Sequence, residues 1–316
     1  MSNAFVFPGQ GSQVVGMGQA LADAFPVARA VFTEVDDALG EKLSAIMWDG
    51  PIETLTLTAN TQPALMAASL AAIRVLESEA GLDLARDAAF VAGHSLGEYS
   101  ALAAAGSLSI ADTARLLRLR GTAMQTATPV GAGAMAAILG LDFDQVRAVA
   151  AEAAEGQVCD IANDNAPGQV VVSGDAAAVE RACVIAKREG AARAIPLTVS
   201  APFHSSLIGA AAEAMREALA GVEMRAPKVP LVANVTARPV SDPAEIKSLL
   251  VKQVTGTVRW RESVAFMAEA GVTRLVEVGT GKVLSGLTKR IARQVAPVNV
   301  GGPADVASFA VVEAVG

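Results

Sequence analysis

Gly93-His94-Ser95-Leu96-Gly97 sets one serine hydroxyl between two glycines. The apolar run Ala88-Ala89-Phe90-Val91-Ala92 leads in, and the helix-forming stretch Glu98-Tyr99-Ser100-Ala101-Leu102-Ala103-Ala104-Ala105 leads out. The pattern is Gly-x-Ser-x-Gly between a buried strand and a helix. A turn this sharp needs glycine on both sides, because side chains there would strike the neighbouring backbone. It lifts the hydroxyl to the open end of a sheet, in front of a helix N-terminus that favours developing negative charge. The chemistry it offers is nucleophilic acyl transfer. A plain strand-to-helix turn has the same local sequence, so partners elsewhere in the chain have to decide.

A serine hydroxyl is a weak nucleophile at neutral pH and needs a base, usually histidine. The chain has 2 histidines. His94 adjoins Ser95, and adjacent side chains leave a sharp turn in different directions, so His94 reads as structural. His204, in Val199-Ser200-Ala201-Pro202-Phe203-His204-Ser205, is the expected base. No Asp or Glu stands out as a third member, and a carbonyl can hold the imidazole tautomer instead. Oxyanion donors are expected from the Leu96 N–H and from the glycine-flanked Gly9-Gln10-Gly11.

Arg120 lies in a helix expected from about residue 110 to 125. At 100° per residue, Leu116, Leu117, Leu119, Ala123 and Met124 define the apolar arc, with Arg120 near its centre and Arg115 and Arg118 opposite. A guanidinium on a buried face needs an anion. Either a protein carboxylate supplies it, or the partner arrives with the substrate, since the planar fork suits a carboxylate.

The elements that must hold these groups follow from periodicity and turn signals. Ala4-Phe5-Val6-Phe7 reads as a strand, followed by the loop Pro8-Gly9-Gln10-Gly11-Ser12-Gln13 and amphipathic helices to about residue 80. Asn60-Thr61-Gln62-Pro63 reads as a helix start, with Pro63 near its first turn. From about 130 to 198 the order is strand 134–139, helix 142–155, strand 158–162, loop 163–168, strand 169–174, helix 175–189 and strand 192–197. Asp175 is expected to cap that last helix and Gly190 to close it. This βαββαβ order is ferredoxin-like, so 130–198 is expected to be a subdomain inserted into a larger one made of 1–129 and 199–316. The larger unit resumes with a strand at 230–235, a helix at 259–270 and a strand at 274–278. Gly279-Thr280-Gly281-Lys282 lacks the spacing of a phosphate loop and reads as a strand-to-helix joint.

The 316 residues are 52% hydrophobic and 18% charged, enough for a substantial core, and carry a net charge of −7. That charge argues against general nucleic-acid or membrane-surface binding. The start, Met1-Ser2-Asn3-Ala4, shows no leader pattern, and no apolar run reaches the ~18 residues of a membrane span. Cys159 and Cys183 have no metal-type spacing, and no metal cluster stands out. A cytoplasmic setting is expected; nothing in the sequence fixes the oligomeric state, and a monomer is the default.

Together these residues resemble the malonyl-CoA:acyl carrier protein transacylases and related acyltransferases of fatty-acid and polyketide synthesis. The resemblance rests on Phe7-Pro8-Gly9-Gln10-Gly11-Ser12-Gln13, on Gly93 to Tyr99, on Arg120-Gly121 with Met124-Gln125, and on Gly133-x-Met135-x-x-Ile138. It continues through Asn163-x-Asn165-x-Pro167-Gly168-Gln169, Pro202-Phe203-His204-Ser205, and Gln253 with Val258-Arg259-Trp260. A departure at Gly279-Thr280-Gly281, where a proline often follows the first glycine, lies away from this chemistry. The resemblance implies an α/β-hydrolase-like large subdomain with the ferredoxin-like insertion, and ping-pong transfer of malonyl from malonyl-CoA to acyl carrier protein without a cofactor. It makes Ser95 the acyl carrier, His204 the base, Gln10 and Leu96 the oxyanion amides and Arg120 the malonyl-carboxylate site. The main-chain carbonyl near Gln253 would orient His204, and Phe203 would favour unbranched malonyl. A carrier protein is acidic, which makes Lys289, Arg290, Arg293, Lys187 and Arg188 candidate docking residues.

Two other readings use the same serine turn. An esterase, lipase or thioesterase would release the acyl group to water, and the central Arg120 and the Gln10 loop speak against it. A non-catalytic binding scaffold would leave Ser95 and His204 without purpose.

Overall fold

Asn3-Ala4-Phe5-Val6-Phe7 is buried at every position, the pattern of a strand covered on both faces. It forms β1 (Asn3–Phe7) at the centre of a six-stranded sheet. The structure is a computed structural model that describes residues 2–315; Met1 and Gly316, the outer limits of the expected large subdomain, lie outside the described residues. Along the chain follow β2 (Ala88–Gly93), β3 (Gly133–Leu139), β4 (Cys159–Ala166), β5 (Gln169–Asp175), β6 (Arg193–Pro196), β7 (Leu231–Ala233), β8 (Arg238–Val240), β9 (Arg274–Val278) and β10 (Ala296–Val300).

The large sheet has the order β10-β9-β1-β2-β7-β8 and is parallel except for the last pair. Ligands of such sheets bind beyond the carboxyl ends of the strands, which is where β2 delivers Ser95. The second sheet, β4-β5-β3-β6, is antiparallel throughout. Helices Phe143–Ala154 and Ala176–Arg188 complete its βαββαβ order, and Ile138, Val146, Val149, Val172 and Val179 give it a core of its own. The fold class is therefore the expected one, a mixed α/β chain with a parallel-rich sheet and a separate ferredoxin-like sheet.

Three local expectations are corrected. The helix that begins at Thr58 runs to Glu79, so Pro63 lies inside it rather than in its first turn. A proline here leaves the carbonyl four residues back without its helical donor. That carbonyl, Ala59 O, accepts from Arg118 Nη1 at 2.7 Å instead. Residues 163–166 are strand, not loop: β4 continues to Ala166, and its polar side chains find partners outside the sheet. Asp175 precedes the helix Ala176–Arg188 without capping it, because its carboxylate accepts from the Val158 N–H at 2.8 Å.

Candidate active site

The serine turn is steric before it is chemical. A Cβ on Gly93 would stand 1.9 Å from the Gly97 carbonyl, so only glycine lets β2 fold back onto the helix Gly97–Ala104. Ser95 sits at φ +53°, left-handed backbone that costs an L-residue ~1–2 kcal/mol. Asn234, at the end of β7, holds it there. Its Oδ1 accepts from the Ser95 N–H at 2.8 Å, and its Nδ2 donates to Gly93 O at 2.7 Å. One buried amide thus clamps the backbone that leads into the strained residue.

His204 also lies in the left-handed region, at φ +56°. Its Nδ1 is 2.8 Å from the main-chain carbonyl of Gln253. A carbonyl can only accept, so Nδ1 carries the proton and Nε2 presents a lone pair. That lone pair faces Ser95 Oγ at 2.8 Å. Burial, and then the positive charge of Arg120, push the imidazole down to about 3, so it is neutral at physiological pH. The arrangement is a hydroxyl donating to an oriented, uncharged base.

His94 turns the other way. Its Nε2 is 2.8 Å from Asn165 Oδ1 on β4, and its ring packs beside Trp260 with centroids 5.7 Å apart. It ties the serine turn to the small sheet, and its ring makes no hydrogen bond to Ser95 Oγ.

Arg120 is 1% exposed. Gly121 beside it explains how its helix, Ile110–Thr126, comes so close to the start of Thr58–Glu79: a Cβ there would lie 2.6 Å from Thr58 O. That approach brings Gln62 to Arg120. Nη1 donates to Gln62 Oε1 at 2.8 Å, and Nη2 donates to Gln253 Oε1 at 2.8 Å and to Ser95 Oγ at 3.1 Å. Among the described residues these partners are two amides and a hydroxyl, none of them a carboxylate, and Nε has no acceptor. Of the two alternatives for this guanidinium, a directly bonded protein Asp or Glu is therefore not the one realised.

Ser95, His204 and Arg120 line one cavity of about 330 Å³, together with Gln10, Leu96 and Phe203. Among the described residues, the Gln10 and Leu96 N–H groups donate to no protein acceptor. Residues of the small sheet, Met135 and Asn163, close its other side. Among the described residues no cluster of His, Cys, Asp or Glu could hold a metal, and no helix is long and apolar enough to cross a membrane. The basic docking candidates are partly engaged: Arg188 pairs with Glu152 and Glu189, and Arg290 donates to Pro167 O.

Sequence reasoning missed Asn234, Gln62 and Glu98. Asn234 had a signal, a lone amide closing the apolar run Pro230-Leu231-Val232-Ala233. Glu98 is buried in the first turn of the helix after Ser95, where a carboxylate also reads as an ordinary response to the helix dipole.

Residues 4–308 match the family model described as acyl transferase domain. The chain is 49% identical over 288 residues to the malonyl CoA-acyl carrier protein transacylase of Escherichia coli strain K12, covering 91% of this chain and 92% of that protein. Its structure resembles the acyl-carrier-protein-S-malonyltransferase of Bartonella henselae, with a TM-score of 0.97, 55% identity and 99% of each chain covered. It also resembles a malonyl-transacylase solved in complex with a type II PKS acyl-carrier protein, with a TM-score of 0.94, 44% identity and 98% of each chain covered.

Proposed function

The chain belongs to the acyl transferase family, among the malonyl CoA-acyl carrier protein transacylases, and on that premise we propose the residues through which it moves malonyl from malonyl-CoA to the phosphopantetheine thiol of acyl carrier protein. The observation that carries the assignment is the position of Ser95 Oγ, 2.8 Å from a neutral imidazole nitrogen and 3.1 Å from a buried guanidinium. The first activates the hydroxyl. The second awaits a negative charge on whatever the hydroxyl acquires, and malonyl carries its carboxylate two bonds beyond the acyl carbon.

In the first half-reaction His204 Nε2 takes the Ser95 proton as Oγ attacks the thioester carbonyl. The oxyanion is met by the Gln10 and Leu96 amides, each donor of this kind being worth ~3–4 kcal/mol. Collapse expels CoA, whose sulfur leaves with the proton from His204. In the second half the carrier thiol gives its proton to His204, attacks the malonyl ester and restores the serine. The Gln253 carbonyl keeps Nδ1 protonated throughout. Arg120 holds the malonyl carboxylate, and Phe203, buried beside His204 on the cavity wall, narrows the space for a branched extender unit. The steps need no cofactor.

We further assign residues 130–198 as an inserted subdomain and 1–129 with 199–316 as the catalytic one. The separate core of the second sheet supports this. A monomeric cytoplasmic enzyme serving fatty-acid synthesis completes the reading.

Incubation with radiolabelled malonyl-CoA, with and without carrier protein, tests it. Wild type takes up one label and passes it on, whereas Ser95→Ala takes up none. Arg120→Ala loads malonyl 10²- to 10³-fold more slowly and no longer discriminates against acetyl-CoA, because a buried unpaired charge is worth ~3–5 kcal/mol. Labelled Ser95→Ala, or undiminished selectivity in Arg120→Ala, would overturn the assignment.

A further inference from the structure

Glu98 takes no part in the steps above, yet it is 1% exposed and hydrogen-bonded into the site. Its Oε2 accepts from Gln253 Nε2 at 2.7 Å and from the Asn234 N–H at 3.3 Å. An ionised carboxylate can only accept, so the amide nitrogen of Gln253 faces Glu98 and Oε1 faces Arg120. Arg120⁺, the Gln253 amide and Glu98⁻ form one polarised chain. Resting on the reading that Arg120 takes the malonyl carboxylate, we propose that Glu98 is the positioning residue and resident counter-anion of that pocket. Through Gln253 it aims the Arg120 fork before substrate arrives, and it takes a proton from solvent when the malonyl carboxylate binds.

The charge balance is the argument. The empty pocket holds one cation and one anion, buried together. A malonyl carboxylate adds a second anion, which a low-dielectric site resists. Protonation of Glu98 restores neutrality, and the proton returns to solvent when malonyl leaves. Burial already pushes this carboxyl up to about 7, against the downward pull of Gln253, Asn234 and Arg120, so a second anion tips it within the working range of pH. The other titratable or charged groups of the site stay fixed there. His204 on the loop before the helix Gly209–Ala220 is neutral, burial lowers His94 on the serine turn, burial raises Tyr99 on the Glu98 helix, and Arg120 remains a cation.

The test is the equilibrium between acyl-CoA and acyl-enzyme, read by intact-protein mass spectrometry from pH 6.0 to 8.5, for malonyl-CoA and for acetyl-CoA. The ratio of the two constants cancels the ionisation of CoA and of common groups. By linkage, a ligand that raises a group's proton affinity binds more weakly as pH rises. In wild type the malonyl-to-acetyl ratio should fall about five- to tenfold from pH 6.5 to 8.5. In weak buffer with an indicator dye, each malonyl loaded at pH 7 should consume up to about half a proton more than each acetyl, because a carboxyl at about 7 is already half protonated there. Glu98→Gln, which keeps an acceptor for Gln253, should flatten the ratio. The decisive slope is measured on wild type, so a poorly folded variant does not obscure it. A flat wild-type ratio, with Arg120→Ala still losing malonyl preference, overturns the role of Glu98 alone. Preserved preference in Arg120→Ala overturns the underlying reading of Arg120 instead.

Discussion

His204 shows how one buried side chain couples reactivity to stability. Its lone pair faces Ser95 only because Nδ1 is committed to the Gln253 carbonyl, and the ring stays uncharged because burial and Arg120 disfavour the imidazolium. An unfolded histidine titrates near 6.5. The native value of about 3 lies below that, so between the two the unfolded chain binds a proton that the native one refuses. Stability contributed at this site is therefore complete above pH 6.5 and declines as pH falls towards 3. His204→Gln removes this slope. Thermal unfolding from pH 7.5 to 4 should show wild type losing ground to the variant by up to ~3 kcal/mol, all of it below pH 6.5. A constant offset between the two across that range would mean that the native imidazole is not held neutral. His204 was legible as the candidate base because the chain has 2 histidines and the other adjoins Ser95. Its left-handed backbone was not, since nothing in Pro202-Phe203-His204-Ser205 demands a positive φ and the surrounding structure imposes it.

Two helices bring Gln62 to Arg120, and their spacing matters more than their composition. The periodicity around Arg120 shows a buried guanidinium, but its partner Gln62 comes from a helix whose start was misread by a few residues. Pro63 normally marks a first turn, but the helix begins earlier at Thr58, and the distant Arg118 bonds to the Ala59 carbonyl that the proline leaves without a donor. Likewise Asn163-Asp164-Asn165 looks like a loop because three polar residues in a strand have no local use. Their use is tertiary: Asp164 meets Arg261 and Asn165 meets His94. The strand, glycines and helix of the serine turn were readable because they are local, whereas Asn234, which holds the turn, comes from the end of β7. Gly121→Ala tests the helix contact. The added methyl would stand 2.6 Å from Thr58 O, so the helices must part. Urea denaturation should show a loss of ~1–3 kcal/mol. Malonyl loading should slow while acetyl loading changes less, because the Gln62–Arg120 bond is what the displacement stretches. Equal slowing with both donors would place the damage elsewhere than at Arg120.

β4 carries the small sheet against the serine turn and the helices Trp260–Glu269 and Val283–Ile291, and this seam reaches the segments of Ser95, His204 and Gln253. Asn165 bonds His94 on the serine turn, Asp160 accepts from Ser206 N–H beside His204, and residues 162–164 pair with Val258 a few positions after Gln253. A malonyl-serine ester has to wait for a thiol while water stays out, so the tightness of this seam bears on whether the enzyme transfers or hydrolyses. Arg261 forms an ion pair with Asp164 across the seam at 2.7 Å, where the carboxylate is 1% exposed. Burial alone would raise the proton affinity of Asp164, and Arg261 opposes that rise. Arg261→Ala leaves a buried carboxylate without its cation, a change worth ~3–5 kcal/mol when the charge cannot escape. Part of that cost disappears if Asp164 protonates or the seam opens. Opening admits water to the acyl-enzyme from the side of the small sheet. Arg261→Ala should therefore load malonyl at a near-normal rate but release free malonate several-fold faster in the absence of carrier protein. The ratio of malonate released to malonyl transferred, measured with the same labelled donor, separates this from a fault in catalysis. An unchanged ratio in a folded variant would show that the cavity itself, and not this seam, keeps water from the ester.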